Sequence, residues 1–158
     1  MISLRPANEN DAKLIVDFMK KLGDFQKMPA SITVTPENMA KLLRNKDGEA
    51  VLVFDKNSPI AFAYFCQHSS AFIGHTSLYI DAFYIEEEYR KKGIGKKIMQ
   101  YLAQICKERK YARMEWLCLD WNNNAWDFYI HLGATAFDSM TIHRLYGENL
   151  EKLQKKKL

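Results

Sequence analysis

The chain has 158 residues, 47% of them hydrophobic and 27% charged, with a formal net charge of +4. That length fits one domain, residues 1–158, with a core of its own, and no apolar run approaches the ~20 residues needed to span a bilayer. Five basic side chains crowd into 90–97 and four lysines into 148–158. Positive charge is therefore local to one loop and one tail, not spread over a face as nucleic-acid binding would need.

Met1 to Pro6 has neither the basic flank nor the apolar length of a signal peptide, so a cytoplasmic location is the expectation. Cys66, Cys106 and Cys118 lie far apart inside apolar segments and read as structural thiols. No C-x-x-C or Cys/His cluster points to a metal or a disulfide framework.

In chain order, Ile2 to Arg5 reads as a first strand, stopped by Pro6. Asn8 is a helix cap, and Ala12, Ile15, Val16, Met19 and Leu22 recur at helical spacing, which predicts an amphipathic helix over 9–22 ended by Gly23. Residues 24–34 read as a long irregular loop, of the kind that is functional or mobile. Thr35-Pro36 restarts a short helix to about Arg44. Glu49 to Asp55 and Ile60 to Gln67 form a hairpin about Lys56-Asn57-Ser58-Pro59, and His68 to His75 is a loop.

A nearly unbroken apolar strand, Leu78 to Ile85, follows, interrupted only by Asp81. After the acidic turn Glu86-Glu87-Glu88 comes Arg90-Lys91-Lys92-Gly93-Ile94-Gly95-Lys96-Lys97, then a helix to about Arg109 with Ile94, Ile98, Leu102 and Ile105 on one face. Met114 to Leu119 is a further strand, and Asn122-Asn123-Asn124 caps a helix carrying Ala125, Phe128, Tyr129 and Leu132, stopped by Gly133. Ala134 to Phe137 and Met140 to Tyr146 read as two final strands, and 147–158 as a weak helix or loose end. The alternation gives an α/β class: a mixed sheet with helices on both faces.

A strand feeding a glycine-bearing loop at a helix start suits phosphate. The first helical turn has unpartnered N–H groups, the dipole favours an anion there, and glycine lets the oxyanion reach the backbone. From the G-x-G alone a solvated basic helix start fits equally. The pattern is neither G-x-x-x-x-G-K-[ST] nor G-x-G-x-x-G. It resembles the R-x-x-G-x-G/A signature of the GNAT N-acetyltransferases, on Arg90, Gly93 and Gly95.

A second motif agrees. Asn122, Ala125 and Tyr129, followed by Gly133, are similar to the family's N-x-x-A-x-x-x-Y-x-x-x-G. With L-Y-I-D-x-F in the central strand and Arg144-Leu145-Tyr146 near the end, the chain resembles the diamine branch, which covers the polyamine and thialysine acetyltransferases.

The resemblance implies a mostly antiparallel, twisted central sheet and acetyl-coenzyme A as co-substrate, with no metal. It implies a small-molecule amine as acceptor and a homodimer as assembly. Arg90, Lys91, Lys92, Gly93, Ile94, Gly95 and Lys96 would bind the coenzyme, with backbone N–H groups from Lys92 to Lys96 holding the pyrophosphate. Phe83, Tyr84 and Ile85 would bond the pantetheine, with an N–H near Phe83 taking the oxyanion. Asn122 and Ala125 would also meet the coenzyme, and Tyr129 would be the general acid. On residue pattern alone Tyr129 also fits a core position beside Phe128.

Asp81 stands where the branch has a glutamate that draws the amine's proton. A carboxylate in an apolar run needs such a reason, because burying it alone is costly; a bulge or strand-edge aspartate bonded to backbone is the other reading. Substrate contacts would come from Gln26, Asp81 and Ala82. Gln26 and Ala82 replace acids typical of polyamine enzymes, and Met28-Pro29-Ala30 and Ser69-Ser70-Ala71 are neutral too. A smaller primary amine therefore fits better than spermine, unless a partner subunit supplies Glu86 to Glu88. Rival readings are acetylation of a protein N-terminus and a non-catalytic acyl-coenzyme A-binding module.

Overall fold

A computed structural model describes residues 1–155. The chain divides into two compact units, Met1–Leu119 and Asp120–Leu158.

The first unit is built on a five-stranded sheet in the order β1-β2-β3-β4-β5. The strands are β1 (Ile2–Pro6), β2 (Glu49–Asp55), β3 (Ser58–Ser70), β4 (His75–Ile85) and β5 (Met114–Trp116). Neighbours are antiparallel except β4 and β5, which run parallel. A parallel neighbour needs a crossover, and α3 (Ile94–Arg109) supplies it.

Successive strand residues face opposite sides. Ala50 and Leu52 of β2 and Phe62 and Tyr64 of β3 join one buried cluster with α1 (Ala12–Phe25) and Met39 of α2 (Pro36–Asn45). Phe18 of α1 stacks on Phe62 at 5.2 Å between ring centroids. Between them in sequence, Val51, Val53, Ala61 and Ala63 are buried on the opposite side. There α3 packs against β3 and β4 through Ile94, Ile98, Leu102 and Ile105, as its spacing predicts, with Met99 and Cys106 added. Each large aliphatic or aromatic side chain so enclosed contributes about 1.5–3 kcal/mol.

Several expectations need correcting. Gly23 does not end α1, which runs on to Phe25. A Cβ at Gly23 would stand 2.5 Å from Ile32, so the glycine admits the returning loop. Residues 9–11 form a separate 3-10 turn held by a capping box from Asn8. The long loop after α1 is shorter and partly ordered, with a 3-10 turn at Pro29–Ser31. The loop expected over 68–75 is a four-residue turn at 71–74, because the β3–β4 ladder continues to Ser70↔His75. The strand expected over 114–119 keeps only Met114–Trp116.

The second unit holds α4 (Asn123–His131) and α5 (Gly147–Lys155). The strands expected at Ala134 to Phe137 and Met140 to Tyr146 are absent. A strand needs a paired edge, and none is paired with 134–146 among the described residues. Phe137, Met140, Ile142, Leu145 and Tyr146 stand exposed instead. Of the tail expected as a weak helix or loose end, residues to Lys155 are helical, and 156–158 lie outside the described residues.

Among the described residues no helix is long and apolar enough to cross a membrane. Cys106 is buried, and Cys66 and Cys118 are half-buried.

Candidate active site

The β3–β4 ladder changes register between Tyr64 and Phe65. Tyr64 pairs with Ala82 and Phe65 with Ile80, so Asp81 is an extra residue, a β-bulge on β4. The bulge flips the side-chain parity of the strand. Leu78 and Ile80 lie on the side of α3, whereas Ala82 joins the cluster under α1. Asp81 itself is exposed, so no cost of burying a lone carboxylate arises there.

The parallel ladder ends at the same place. Leu78, Tyr79 and Ile80 pair with Met114, Glu115 and Trp116, and β5 goes no further. On that side no strand pairs with residues 82–85 among the described residues. The half-buried segment Phe83, Tyr84 and Ile85 thus keeps an open edge of main-chain donors and acceptors.

Beyond Ile85 the chain turns through a 3-10 segment, Glu87–Tyr89, and reaches the basic loop. Lys91 and Gly93 take left-handed backbone, φ 58° and 80°. Gly93 is the N-cap of α3, and a Cβ there would have nothing within 4 Å. Helix α2 is capped by Thr35 and α4 by Asn122, but α3 has no side-chain cap. Its first intrahelical bond runs from Lys97 N–H to the Gly93 carbonyl at 3.1 Å. The N–H groups of Ile94, Gly95 and Lys96 precede that bond, so the uncapped terminus suits an oxyanion. Lys91, Lys92 and Lys96 are exposed around it, and the Ile94 side chain is buried, leaving its backbone as the reachable part.

Arg90 is half-buried and turned back on the fold. Its Nε donates to the Ile85 carbonyl at 2.9 Å. Its guanidinium carbon lies 4.7 Å from the Phe25 ring centroid and 5.5 Å from that of Tyr84. Two more links hold the loop: Lys21 pairs with Glu86, and the Tyr89 hydroxyl donates to Asp55 at 3.1 Å. Glu86 is thus engaged within its own chain.

On the face of Ala82, Cys66 pairs with Tyr79 across the ladder. Burial pushes the Tyr79 hydroxyl above its usual range, and the Asp81 charge adds to this. Tyr64 is pushed up to about 12, first by burial and then by the charges of Cys66 and Asp81. The Cys66 thiol is raised by burial and, again, by Asp81. Gln26 is half-buried at the end of α1, its N–H bonded to the Leu22 carbonyl at 2.8 Å. Ala82 is 3% exposed and belongs to the core, so its methyl serves packing.

In the second unit Asn122 caps α4, its Oδ1 accepting from Ala125 N–H at 3.3 Å. Tyr129, one turn on, is half-buried, with its ring 5.3 Å from that of Phe128. No group of three or more His, Cys, Asp or Glu suited to a metal occurs among the described residues.

The residue pattern hid two features. An apolar run on both sides of Asp81 masks the parity flip, although one acid inside it was the visible trace. The partners of Arg90 come from α1 and β4, far apart in sequence, and left no trace.

The acetyltransferase (GNAT) family model matches residues 16–134. The chain is 26% identical over 144 residues to a thialysine N-epsilon-acetyltransferase of Caenorhabditis elegans, covering 89% of each. It is 33% identical over 94 residues to an L-ornithine N5-acetyltransferase of Arabidopsis thaliana, covering 60% of this chain and 41% of that one. An integron cassette protein of V. cholerae shares the fold, with a TM-score of 0.79, 19% identity and 98% of each chain covered. The chain belongs to the acetyltransferase (GNAT) family and is an acetyl-CoA-dependent acyltransferase.

Proposed function

We propose that the chain moves the acetyl group of acetyl-coenzyme A to a primary amine of a small molecule, a diamine or polyamine or a thialysine-like amino acid, by direct attack. The observation that carries this reading is the open edge of β4 at 82–85, which begins where Asp81 bulges and leads into the uncapped start of α3. Relatives named for thialysine and for L-ornithine side-chain acetylation support an amino-acid acceptor.

In this reading the N–H groups of residues 92–96 hold the pyrophosphate and the edge of β4 holds the pantetheine. That remote binding orients the thioester carbon. The amine arrives as an ammonium, with a pKa near ~10, and must lose a proton before it attacks. Asp81, exposed at the bulge, takes that proton through water. The neutral nitrogen then bonds to the carbonyl carbon, and a backbone N–H near Phe83 stabilises the oxyanion. The nitrogen of the adduct, now positive, sheds its second proton to water, and collapse breaks the C–S bond. Tyr129 donates its phenol proton to the departing thiolate, giving coenzyme A and the N-acetyl amine, and regains a proton from solvent. Asn122 and Ala125 keep the coenzyme contacts that the resemblance gives them. A homodimer is part of the same reading.

A thiol-release assay with acetyl-coenzyme A and a panel of thialysine, lysine, ornithine, putrescine, spermidine, spermine and N-terminal peptides tests it. Turnover is expected with the amino-acid side chains and small diamines. Turnover confined to the peptides would overturn the small-molecule reading, and coenzyme binding without any turnover would favour a binding module.

A further inference from the structure

The side chain of Arg90 joins the end of α1, where the loop carrying the proposed acceptor contact Gln26 begins, to the end of β4, where the segment leading to the proposed coenzyme loop begins. Helix α1 ends at Phe25, and the residues that follow form the loop to Val34. Phe25 is partly exposed at this end, and the Arg90 guanidinium lies over its ring at 4.7 Å. The same guanidinium lies 5.5 Å from the Tyr84 ring centroid, and its Nε is bonded to the Ile85 carbonyl at 2.9 Å. Reaching out to a phosphate would break all three contacts. The ion pair of Lys21 with Glu86 lies one turn earlier on α1 and ends before the basic loop, so it holds neither Phe25 nor Arg90.

We propose that Arg90 is a positioning residue that latches the end of α1 to the coenzyme loop, so that filling the pyrophosphate site orders the acceptor loop 26–34. Its side chain does not ligate the coenzyme. This rests on the coenzyme reading of the loop given above.

The physical basis is linkage. Lys91 and Gly93, next to Arg90, hold the left-handed conformations that shape the loop. An anion on residues 92–96 narrows the backbone motion of that loop, and with it the motion of the guanidinium. Phe25 is gripped by that guanidinium, so the first residues of the acceptor loop lose freedom too. An acceptor binding afterwards has less ordering to do, which is positive cooperativity between the two sites. Arginine suits the task better than lysine, because its flat guanidinium stacks on a ring while Nε donates in its own plane.

Hydrogen exchange of residues 26–34 in the full chain, with and without saturating coenzyme A, tests this without needing the acceptor. In the native protein, coenzyme A is expected to slow exchange there by about tenfold, within the usual range of coupling. Arg90→Ala, Arg90→Lys and Phe25→Ala should each abolish that response while the coenzyme A Kd stays within about threefold of the native value, since none removes a phosphate ligand. The double variant Arg90→Ala/Phe25→Ala should be no worse than either single one.

Coenzyme A binding with no protection at 26–34 would overturn the latch and leave the coenzyme reading standing. A large loss of affinity in Arg90→Ala that Arg90→Lys restores would show a phosphate ligand and also overturn it. Absence of coenzyme A binding in the native chain would overturn the reading beneath it. Phe25→Ala leaves the coenzyme loop intact and keeps the test open if Arg90→Ala does not fold.

Discussion

Ile80 and Trp116 form the last rung of the parallel ladder between β4 and β5, and the next residue on β4, Asp81, is the bulge. The strand therefore changes parity and loses its parallel neighbour at one point. Downstream of it, one edge of β4 is bonded to β3 and the other has no strand partner among the described residues.

Asp81→Asn tests the proton-relay role. The carboxylate is exposed, so thermal stability should change by less than about 0.5 kcal/mol. The pH–rate profile of kcat/KM should move to higher pH, because the amine must then lose its proton to solvent. A profile that stays in place would remove Asp81 from the reaction.

Tyr129→Phe separates chemistry from binding. Loss of the phenol proton should lower kcat by about 10²-fold, the ordinary scale of general acid catalysis. The Kd for acetyl-coenzyme A, measured by calorimetry, should be unchanged. An unchanged kcat would return Tyr129 to a packing role beside Phe128.

Asp11 should carry acid-sensitive stability. Its carboxylate accepts from both Arg5 Nη groups, at 2.7 and 2.8 Å, and from Asn8 N–H at 2.9 Å. The Arg5 bonds lead in holding its pKa below the usual carboxylate value. A lowered folded pKa stabilises above the unfolded value, near ~4, and that stability is lost as pH falls through the folded value. Asp11→Asn should cost about 1 kcal/mol at pH 7, a modest figure because the Arg5 guanidinium is nearly half exposed. Urea unfolding at pH 7 and pH 3 reads it: the native chain's advantage should shrink at the lower pH.

Gly48 and Tyr64 form a steric pair. A Cβ at Gly48 would lie 1.8 Å from the Tyr64 hydroxyl oxygen. Gly48→Ala should destabilise by about 1–3 kcal/mol, and Tyr64→Phe should relieve part of that. Tyr64 also has a raised folded pKa, about 12, above an unfolded value near ~10. Its contribution is present below the unfolded value and is lost as pH rises through 12. Between pH 10 and 12 the native chain should lose more stability than Tyr64→Phe, as followed by circular dichroism.

Much of the first unit was legible along the chain because its signals are local. The 3.6-residue spacing of Ile94, Ile98, Leu102 and Ile105 is the buried face of α3, and Thr35-Pro36 is the start of α2. Arg90, Gly93 and Gly95 carried the resemblance to the GNAT family, and the family match agrees with it. Gly23 misled because a glycine near a helix end reads as a stop, whereas its reason is Ile32, nine residues on. The segment 134–146 misled because β-forming side chains do not make a strand without an edge to pair with.

By itself the sequence determined the order of the elements as far as α4, the helical faces and the uncapped glycine start of α3, all of which depend on neighbours within a few residues. Tertiary structure alone decided the bulge at Asp81, the early end of β5 and the seat of Arg90 between Phe25 and Tyr84. Those depend on pairing and packing between segments up to tens of residues apart, and such contacts form only when the sheet assembles.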